Sequence, residues 1–427
     1  MPRRRPFIQV TMRLSPYLVD PASYGAYSLP SIPGTILSAL TPETPAQMLP
    51  DDALGGLSNK YDKVVLFVVD GLGLDHFKDL MGRSPFLREL RRQGNFMQLG
   101  TQFPSTTACN VTTLNTGVSV AQHGLFEWFY YEPVAGEIIS PLLYSYGECI
   151  RERDSLKDDK AVTPEAIYPK QSLYRELIKH GVRCFSFQDS EYAESEYTDI
   201  VFDGAKRYGF LSVADGLVNL ARAVVDEPAK AYYYFYFDKV DSLSHKYGPG
   251  SKEAMAEAEV FFLALEHLFW DRVKDKVDNV LFLMTADHGQ ATIDPAKCVY
   301  LNVEFPGIKD MIKMSKSGRY LAPAGSCRDM FLYIKDDCLD DAYHLLTDKL
   351  SDRAAVVKIK ELIENGYFGD RHISPVLAGR LGNLVILPFD GHCVWWYEKG
   401  LFEIDFLGHH GGLTKQEMEI PFLAWEL

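Results

Sequence analysis

Two short stretches of this sequence pair a carboxylate with an imidazole. Asp241 and His245 stand four residues apart in Asp241-Ser-Leu-Ser-His245-Lys-Tyr-Gly-Pro249, and Asp287 and His288 are adjacent, ahead of Gly289. If Asp241 opens a helical turn, the four-residue spacing puts both side chains on one face, where they can share a cation. The trailing Gly248-Pro249 favours a short turn or loop over a long helix. Adjacent residues of a strand point to opposite faces, so Asp287 and His288 need a bend to reach one ion, and Gly289 permits it. Two such pairs predict two metal ions. Asp70 is a further carboxylate, placed before the glycine-rich turn Gly71-Leu72-Gly73, and His410 lies between Gly408 and Gly411-Gly412. His409 competes with His410, which is preferred because it immediately precedes the glycine pair. Ser105-Thr106-Thr107 puts three hydroxyls at the start of a predicted helix. That position caps helices, binds phosphate and suits a nucleophile activated by a metal. Residue chemistry alone leaves open which of the three attacks. Asn110, nearly one turn on, could donate to a phosphoryl oxygen. Asp and His donors suit zinc, with manganese as the alternative.

Taken singly, each of these residues has an ordinary structural explanation, as a cap, a turn aspartate or a loop histidine. Together they form an ordered series, each member after a predicted strand, at a helix start or in a glycine-rich loop. The runs Val64–Val69, Tyr232–Phe237 and Val280–Met284 are continuously apolar, as strands buried in a parallel sheet are. Asp70, Asp241 and Asp287 all follow such runs, and strand ends are where side chains converge on a ligand. Helices are predicted over 75–92, 107–114, 171–180, 214–225 and 251–274, with short strands over 96–99 and 184–187. This alternation predicts an α/β fold: a doubly wound, mostly parallel sheet sandwiched by helices. Residues 1 to about 60, rich in proline, read as an irregular arm. From 299 to 400 the rhythm changes, with strands expected over 330–334 and 384–387 and helices over 340–350 and 355–365. We expect residues 1–298 and 401–427 to form the core and 299–400 an inserted, smaller α+β cap subdomain. The run Pro421–Trp425 returns the chain to the core.

The chain has 427 residues, 47% of them hydrophobic and 24% charged, and a formal net charge of −14. That composition is ordinary for a soluble globular protein. The negative balance argues against a stable nucleic-acid complex or an anionic membrane surface, and it leaves a small phosphate ester open, because bound cations invert the local field. The seven cysteines are odd in number and contain no Cys-x-x-Cys, which predicts reduced thiols in a reducing compartment. Arg3-Arg4-Arg5 imitates the start of a signal peptide, but Pro6–Leu18 is broken by Gln9, Thr11, Arg13, Ser15 and Pro16. The apolar runs are of strand length, short of a membrane span. A cytoplasmic location is expected. Oligomeric state is not legible.

The order and spacing of these elements resemble the alkaline phosphatase superfamily. Within it the chain looks most like the type I phosphodiesterase/nucleotide pyrophosphatase family. The resemblance rests on Val68-Val69-Asp70-Gly71, Phe103-Pro-Ser-Thr-Thr107 with Thr116-Gly117, Asp241-x-x-x-His245-Lys-Tyr-Gly-Pro249, Asp287-His288-Gly289 and His410-Gly411. These span residues 68 to 411, and the Asp-x-x-x-His-x-x-Gly-Pro element is the most specific. The resemblance implies an alkaline-phosphatase-like fold and a threonine nucleophile at Thr107. It implies one zinc among Asp70, Thr107, Asp287 and His288, and another among Asp241, His245 and His410. Two positions depart from the family pattern. Ala108 stands where nucleotide-hydrolysing members carry an aromatic residue after the nucleophile, leaving Phe126, Trp128, Phe129, Tyr130 or Tyr131 to supply a stacking face. Trp128 stands where the family has a transition-state asparagine, for which Asn110 is the substitute on chemical grounds. The sulfatase motif Cys-x-Pro-x-Arg is absent, since Cys109 is followed by Asn110-Val111-Thr112.

The function these features predict is two-metal cleavage of a phosphodiester or pyrophosphate bond through a phospho-threonine intermediate, with Thr107 and Asn110 catalytic. The expected partner is a small phosphate ester, a nucleotide among the candidates. The alternative is a phosphomonoesterase or phosphonate hydrolase on the same scaffold, with Arg319, Arg328 and Lys316 available for the added charge of a monoester or for the remote part of a substrate. A non-catalytic metal-binding protein is the third reading.

Overall fold

A computed structural model describes residues 14–149 and 152–427. The basic stretch Arg3-Arg4-Arg5 and the first residues of the predicted arm lie outside the described residues. The central sheet has seven strands: β1 (Lys63–Val69), β2 (Asn95–Gly100), β3 (Arg183–Asp189), β4 (Lys206–Phe210), β5 (Ala231–Phe237), β6 (Val280–Thr285) and, from the chain's end, the Glu419–Glu426 strand. The last strand lies between β2 and β6, and the order continues β6-β1-β5-β3-β4. Pairing is parallel from β6 to β4 and antiparallel on both sides of the Glu419–Glu426 strand. Every residue of β5 and β6 is buried, and all of β1 except Lys63. Burial of alternate residues alike requires cover on both faces, which is why these runs read as unbroken apolar stretches. The helices Ile32–Leu40, Thr107–Thr116 and Leu173–Lys179 pack together as one layer, and Leu74–Arg83, Val213–Asp226 and Lys252–Ala264 belong to the other. Phe67 of β1 touches Phe235 and Phe269, and Phe282 of β6 stacks on Trp425 at 5.4 Å. Each such fully buried side chain contributes about 1.5–3 kcal/mol.

A second, smaller sheet joins β7 (Met330–Leu332), β8 (Ala354–Lys358) and β9 (Leu384–Pro388) in the order β7-β9-β8, all antiparallel. It has its own apolar cluster, including Ile334, Leu346, Ile386 and Trp395. Phe129 and Ile293, from outside 299–400, pack into that cluster too.

Several local expectations are corrected. The helix expected over 75–92 is two helices, Leu74–Arg83 and Pro85–Gln93, because Pro85 cannot continue the first; Ser84 caps the second by accepting from the Leu87 amide. The helix expected over 251–274 passes through a π-helical turn at Leu265–Trp270, whose rings Phe269 and Trp270 meet Phe67, Phe282 and Trp425. The helix expected over 355–365 is a strand first: Ala354–Lys358 pairs with β9, and helix begins at Ile359. Val356 and Val357 are β-branched and suit the strand once a partner edge exists. The N-terminal arm is less irregular than its prolines suggest. Ile32–Leu40 is a helix with Pro33 at its start, where no backbone donor is required, and it buries Ile32, Ile36, Ala39 and Leu40.

Candidate active site

Adjacent strands β5, β1 and β6 end at the same edge, and each is followed by acidic residues. Asp70 directly follows β1, and its amide donates to Phe237 O at the end of β5 at 2.9 Å. Asp287 lies two residues past β6. Asp241 sits in the first turn of the Lys239–Tyr247 helix, with His245 in its last turn and Gly248, at φ +91°, closing it. This is a nine-residue helix, longer than the turn that Gly248-Pro249 suggested. His410 arrives from the far end of the chain, directly after the Gly408–His409 strand, which pairs with Ala291–Thr292 just beyond His288.

The predicted residues converge. Asp70, Asp287 and His288 present ligand atoms within 4.8 Å of one another, and so do Asp241, His288 and His410. His288 Nε2 lies 3.4 Å from Asp70 Oδ1, 3.4 Å from Asp287 Oδ2 and 3.1 Å from Thr107 Oγ1. His410 Nε2 is 3.8 Å from Asp241 Oδ1, and His245 Nε2 is 3.3 Å from Asp241 Oδ2. The division between the two groups differs from the sequence expectation. His288 is common to both, its ring stacked on His410 at 3.8 Å, and His245 joins through Asp241, outside the compact second group.

The three histidines share one arrangement. Nδ1 of His245, His288 and His410 faces the carbonyls of Gly408, Gly289 and Ser105, at 2.8, 3.0 and 3.0 Å. A carbonyl only accepts, so each Nδ1 carries a proton and each Nε2 is turned toward the site. That is the orientation a metal-ligating imidazole takes. His409 is turned differently. Its Nδ1 accepts from the His410 amide at 3.0 Å, and burial, then the neighbouring His245, push its pKa down to about 3.

The carboxylates show the same preparation. Asp287 Oδ1 accepts from the amides of Gly71 and His288, and Asp70 Oδ2 accepts from the Tyr236 hydroxyl, yet Asp287 Oδ2 and Asp70 Oδ1 are buried without a partner. Burial, and then the charges of Asp287 and Asp241, hold the Asp70 carboxyl well above the usual carboxylate range. Burial opposes ionisation of Asp241 too, but His245 and His410 outweigh it and lower its pKa. Buried like charges with orphaned oxygens are costly unless a cation neutralises them. The donor set therefore fits divalent cations.

Thr107 is the first residue of its helix. Thr106 is the cap, its hydroxyl accepting from the Cys109 amide and donating to Phe126 O. Ser105 is fully buried, donates to Gly412 O and accepts from the Gly411 amide. Of the three adjacent hydroxyls, then, two are structural and Thr107 faces His288. Asn110 is corrected as a transition-state donor. It is fully buried, its amide nitrogen donates to Thr106 O at 3.0 Å, and its oxygen faces the Gln102 amide groups. Arg328 is likewise corrected as a substrate contact, being enclosed against Glu417. Arg319 is ion-paired to Glu148 and Glu398. With Lys316 it lines a cleft of about 370 Å³ to which none of the Asp and His ligands contributes. Of the candidate stacking residues, Phe126, Phe129 and Tyr130 are buried and Tyr131 packs on Tyr333, whereas Trp128 is 40% exposed.

Sequence reasoning missed three supporting residues. Gln290 donates to Asp241 at Oδ1 and, at 3.1 Å, at its carbonyl; Tyr236 orients Asp70; Glu127 sits buried beside Gly411. Gln290 directly follows Asp287-His288-Gly289, which was the available signal. Gly71 is required by a close approach: a Cβ there would lie 2.9 Å from Asp241 Cα, Cβ and Oδ1, at a φ of +69°. Gly71→Ala is therefore expected to lower kcat/KM by about 100-fold with the fold intact by circular dichroism. An unimpaired variant would show that this packing does not position Asp241.

A family model for type I phosphodiesterase / nucleotide pyrophosphatase matches residues 64–413, most of the chain and all of these ligands. The chain belongs to that family. It is thus a phosphoester hydrolase of the alkaline phosphatase superfamily, and membership implies use of a divalent metal. Solved structures share the fold. Murine ectonucleotide pyrophosphatase/phosphodiesterase 5 superimposes with a TM-score of 0.63 at 16% identity, over 85% of this chain and 88% of that one. Its human counterpart gives 0.63 at 16%, over 85% and 87%. Phosphonoacetate hydrolase from Sinorhizobium meliloti gives 0.59 at 18%, over 84% and 89%.

Proposed function

We propose that this protein cleaves phosphodiester or pyrophosphate bonds of a small nucleotide substrate, with Thr107 as the nucleophile. The observation that carries this reading is the inward Nε2 of three histidines around orphaned carboxylate oxygens, with the Thr107 hydroxyl 3.1 Å from His288 Nε2. Asp70, Asp287, His288 and Thr107 would hold one cation, and Asp241, His410 and His245, with His288 between the two groups, a second. Two zinc ions bound there would supply Lewis acidity, lowering the hydroxyl pKa and neutralising charge on the phosphoryl oxygens.

Thr107 Oγ1 attacks phosphorus in line, forming the Oγ–P bond as the bond to the leaving oxygen breaks. The start of the Thr107 helix presents amides that can donate to a phosphoryl oxygen, the role first assigned to Asn110. Water then cleaves the phospho-threonine and restores the hydroxyl. The helix dipole and the buried, preorganised ligands make this charge arrangement persistent through both steps.

Nucleotide preference is supported by the murine relative, an inactive threonine-to-alanine variant of which has been solved in complex with AMP. Trp128 is the exposed ring suited to stack on a base. The second reading, phosphonate or monoester hydrolysis, is favoured by Ala108, which offers no ring after the nucleophile, and by the likeness to phosphonoacetate hydrolase. Against a monoester, Arg328 is enclosed and Arg319 already paired. The test is a panel of a p-nitrophenyl nucleotide diester, p-nitrophenyl phosphate and phosphonoacetate, with and without a chelator. The diester should be fastest, chelation should abolish turnover and zinc should restore it. In Trp128→Ala, KM for the nucleotide diester should rise about 5- to 100-fold while a non-nucleotide diester is unaffected. Faster turnover of phosphonoacetate or the monoester would favour the second reading, and chelator-insensitive turnover would sink both.

A further inference from the structure

Three of the seven cysteines meet far along the chain from the catalytic threonine. The Val299–Tyr300 strand pairs in parallel with Val394–Trp395, Val299 opposite Val394, so Cys298 and Cys393 stand side by side one residue earlier. The Val299 amide donates to Cys393 O at 3.0 Å, and the Val394 amide donates to Cys327 O at 3.0 Å. These two bonds leave the 393–394 backbone on opposite sides, so Cys393 lies between Cys298 and Cys327. The three sulfurs thus form a row with Cys393 in the middle. A row suits pairwise bonding more than a shared ion, which needs three mutually close donors. All are free thiols.

We propose that Cys298, Cys327 and Cys393 form a thiol–disulfide exchange centre, in which Cys393 closes a disulfide with Cys298 and a small-molecule disulfide such as oxidised glutathione is the oxidant. Neighbouring backbone on paired strands lies within the Cα separation a disulfide spans, about 4.4–6.8 Å. Cys393 is the attacking sulfur. Contact with the Cys298 thiol, then the Cys327 thiol, holds its pKa below the usual thiol value, whereas Cys298 is held above it. All three are enclosed, Cys298 least so at 8% exposed, with Cys393 at 1% two residues past the exposed Asp390-Gly391 turn.

The electrons balance over two exchanges. The Cys393 thiolate attacks one sulfur of the oxidant, forming a mixed disulfide and expelling one small thiolate. Cys298 then attacks Cys393 Sγ, and its proton leaves with the second small thiol. Two protein thiols are oxidised and the small disulfide is reduced. Cys327, on the other side of Cys393, is the reserve partner.

The test uses the full-length protein in non-denaturing buffer, equilibrated with oxidised glutathione and read by intact mass and peptide mapping after alkylation. The expected result is a loss of about 2 Da, a 298–393 cross-linked peptide and full reversal by dithiothreitol. Glutathione adducts on the half-exposed Cys149 and Cys338 would add mass and are distinguishable from it. Cys298→Ser should move the cross-link to 327–393, and Cys393→Ser should abolish it. The proposal is overturned if the wild-type protein keeps all three cluster thiols alkylatable at equilibrium, or if Cys393→Ser still forms an internal disulfide.

Discussion

Thr107→Ala is expected to lower kcat by about ten-thousand-fold or more while leaving bound metal and folding near normal. The loss is large because, in the proposed reaction, the hydroxyl is not one contact among many but the atom that forms the bond to phosphorus. Metal retention follows from the geometry: the backbone orients the other ligands, through two amides on Asp287 Oδ1 and the three Nδ1–carbonyl bonds, so their placement does not depend on Oγ1. Ser105→Ala and Thr106→Ala make the contrast, since those hydroxyls tie Gly412 and the helix start and should cost stability more than chemistry. Single-turnover kinetics together with metal analysis check it. A Thr107→Ala enzyme that turns over at near wild-type rate would remove Thr107 as the nucleophile.

Arg328→Met is expected to lower the unfolding free energy by about 3–5 kcal/mol, the cost of leaving one partner of a buried ion pair uncompensated. Arg328 and Glu417 are both fully enclosed, joined by two parallel hydrogen bonds of 3.0 Å. Arg328 also donates to the carbonyls of Phe389, His392 and Pro388. Glu417 in turn accepts from the amides of Gly412 and Thr414 and from the Thr414 hydroxyl. The pair therefore binds the second sheet's β9 end to the loop that carries His410. Urea denaturation should show the lost stability, and activity should fall with it as the His410 loop loosens. Replacing both partners, as Arg328→Met with Glu417→Leu, should recover part of the stability, because the penalty is the unpaired charge and not the missing bond. A single variant as stable as wild type would show that the pair is not desolvated.

The ligand chemistry was legible because it is local. Asp241 and His245 are one helical turn apart, and Asp287-His288-Gly289 follows an apolar run of strand length, so short-range periodicity already places them at strand ends. The parallel sheet was legible for the same reason, since strands buried on both faces must be apolar throughout. Local reasoning failed where a distant partner decided the outcome. Ala354–Lys358 is a strand because β9 offers an edge. Asn110 has the right chemistry and the right helix, but Gln102 and Thr106 occupy its amide. Arg328 reads as a surface cation until Glu417 arrives from 89 residues away.

By itself, then, the amino-acid order determined which residue types could bind metal and attack phosphorus, and that they would gather at one sheet edge. Which hydroxyl faces the ligands, and that His288 lies between both groups, only the tertiary structure decided. The reason is chain closure. His410 reaches its place through Ser105, 305 residues earlier, and that single contact orients the imidazole while engaging the chain two residues before Thr107. No periodicity carries such a pairing. It exists only once β6, β1 and β5 lie side by side and the last strand has returned against β6.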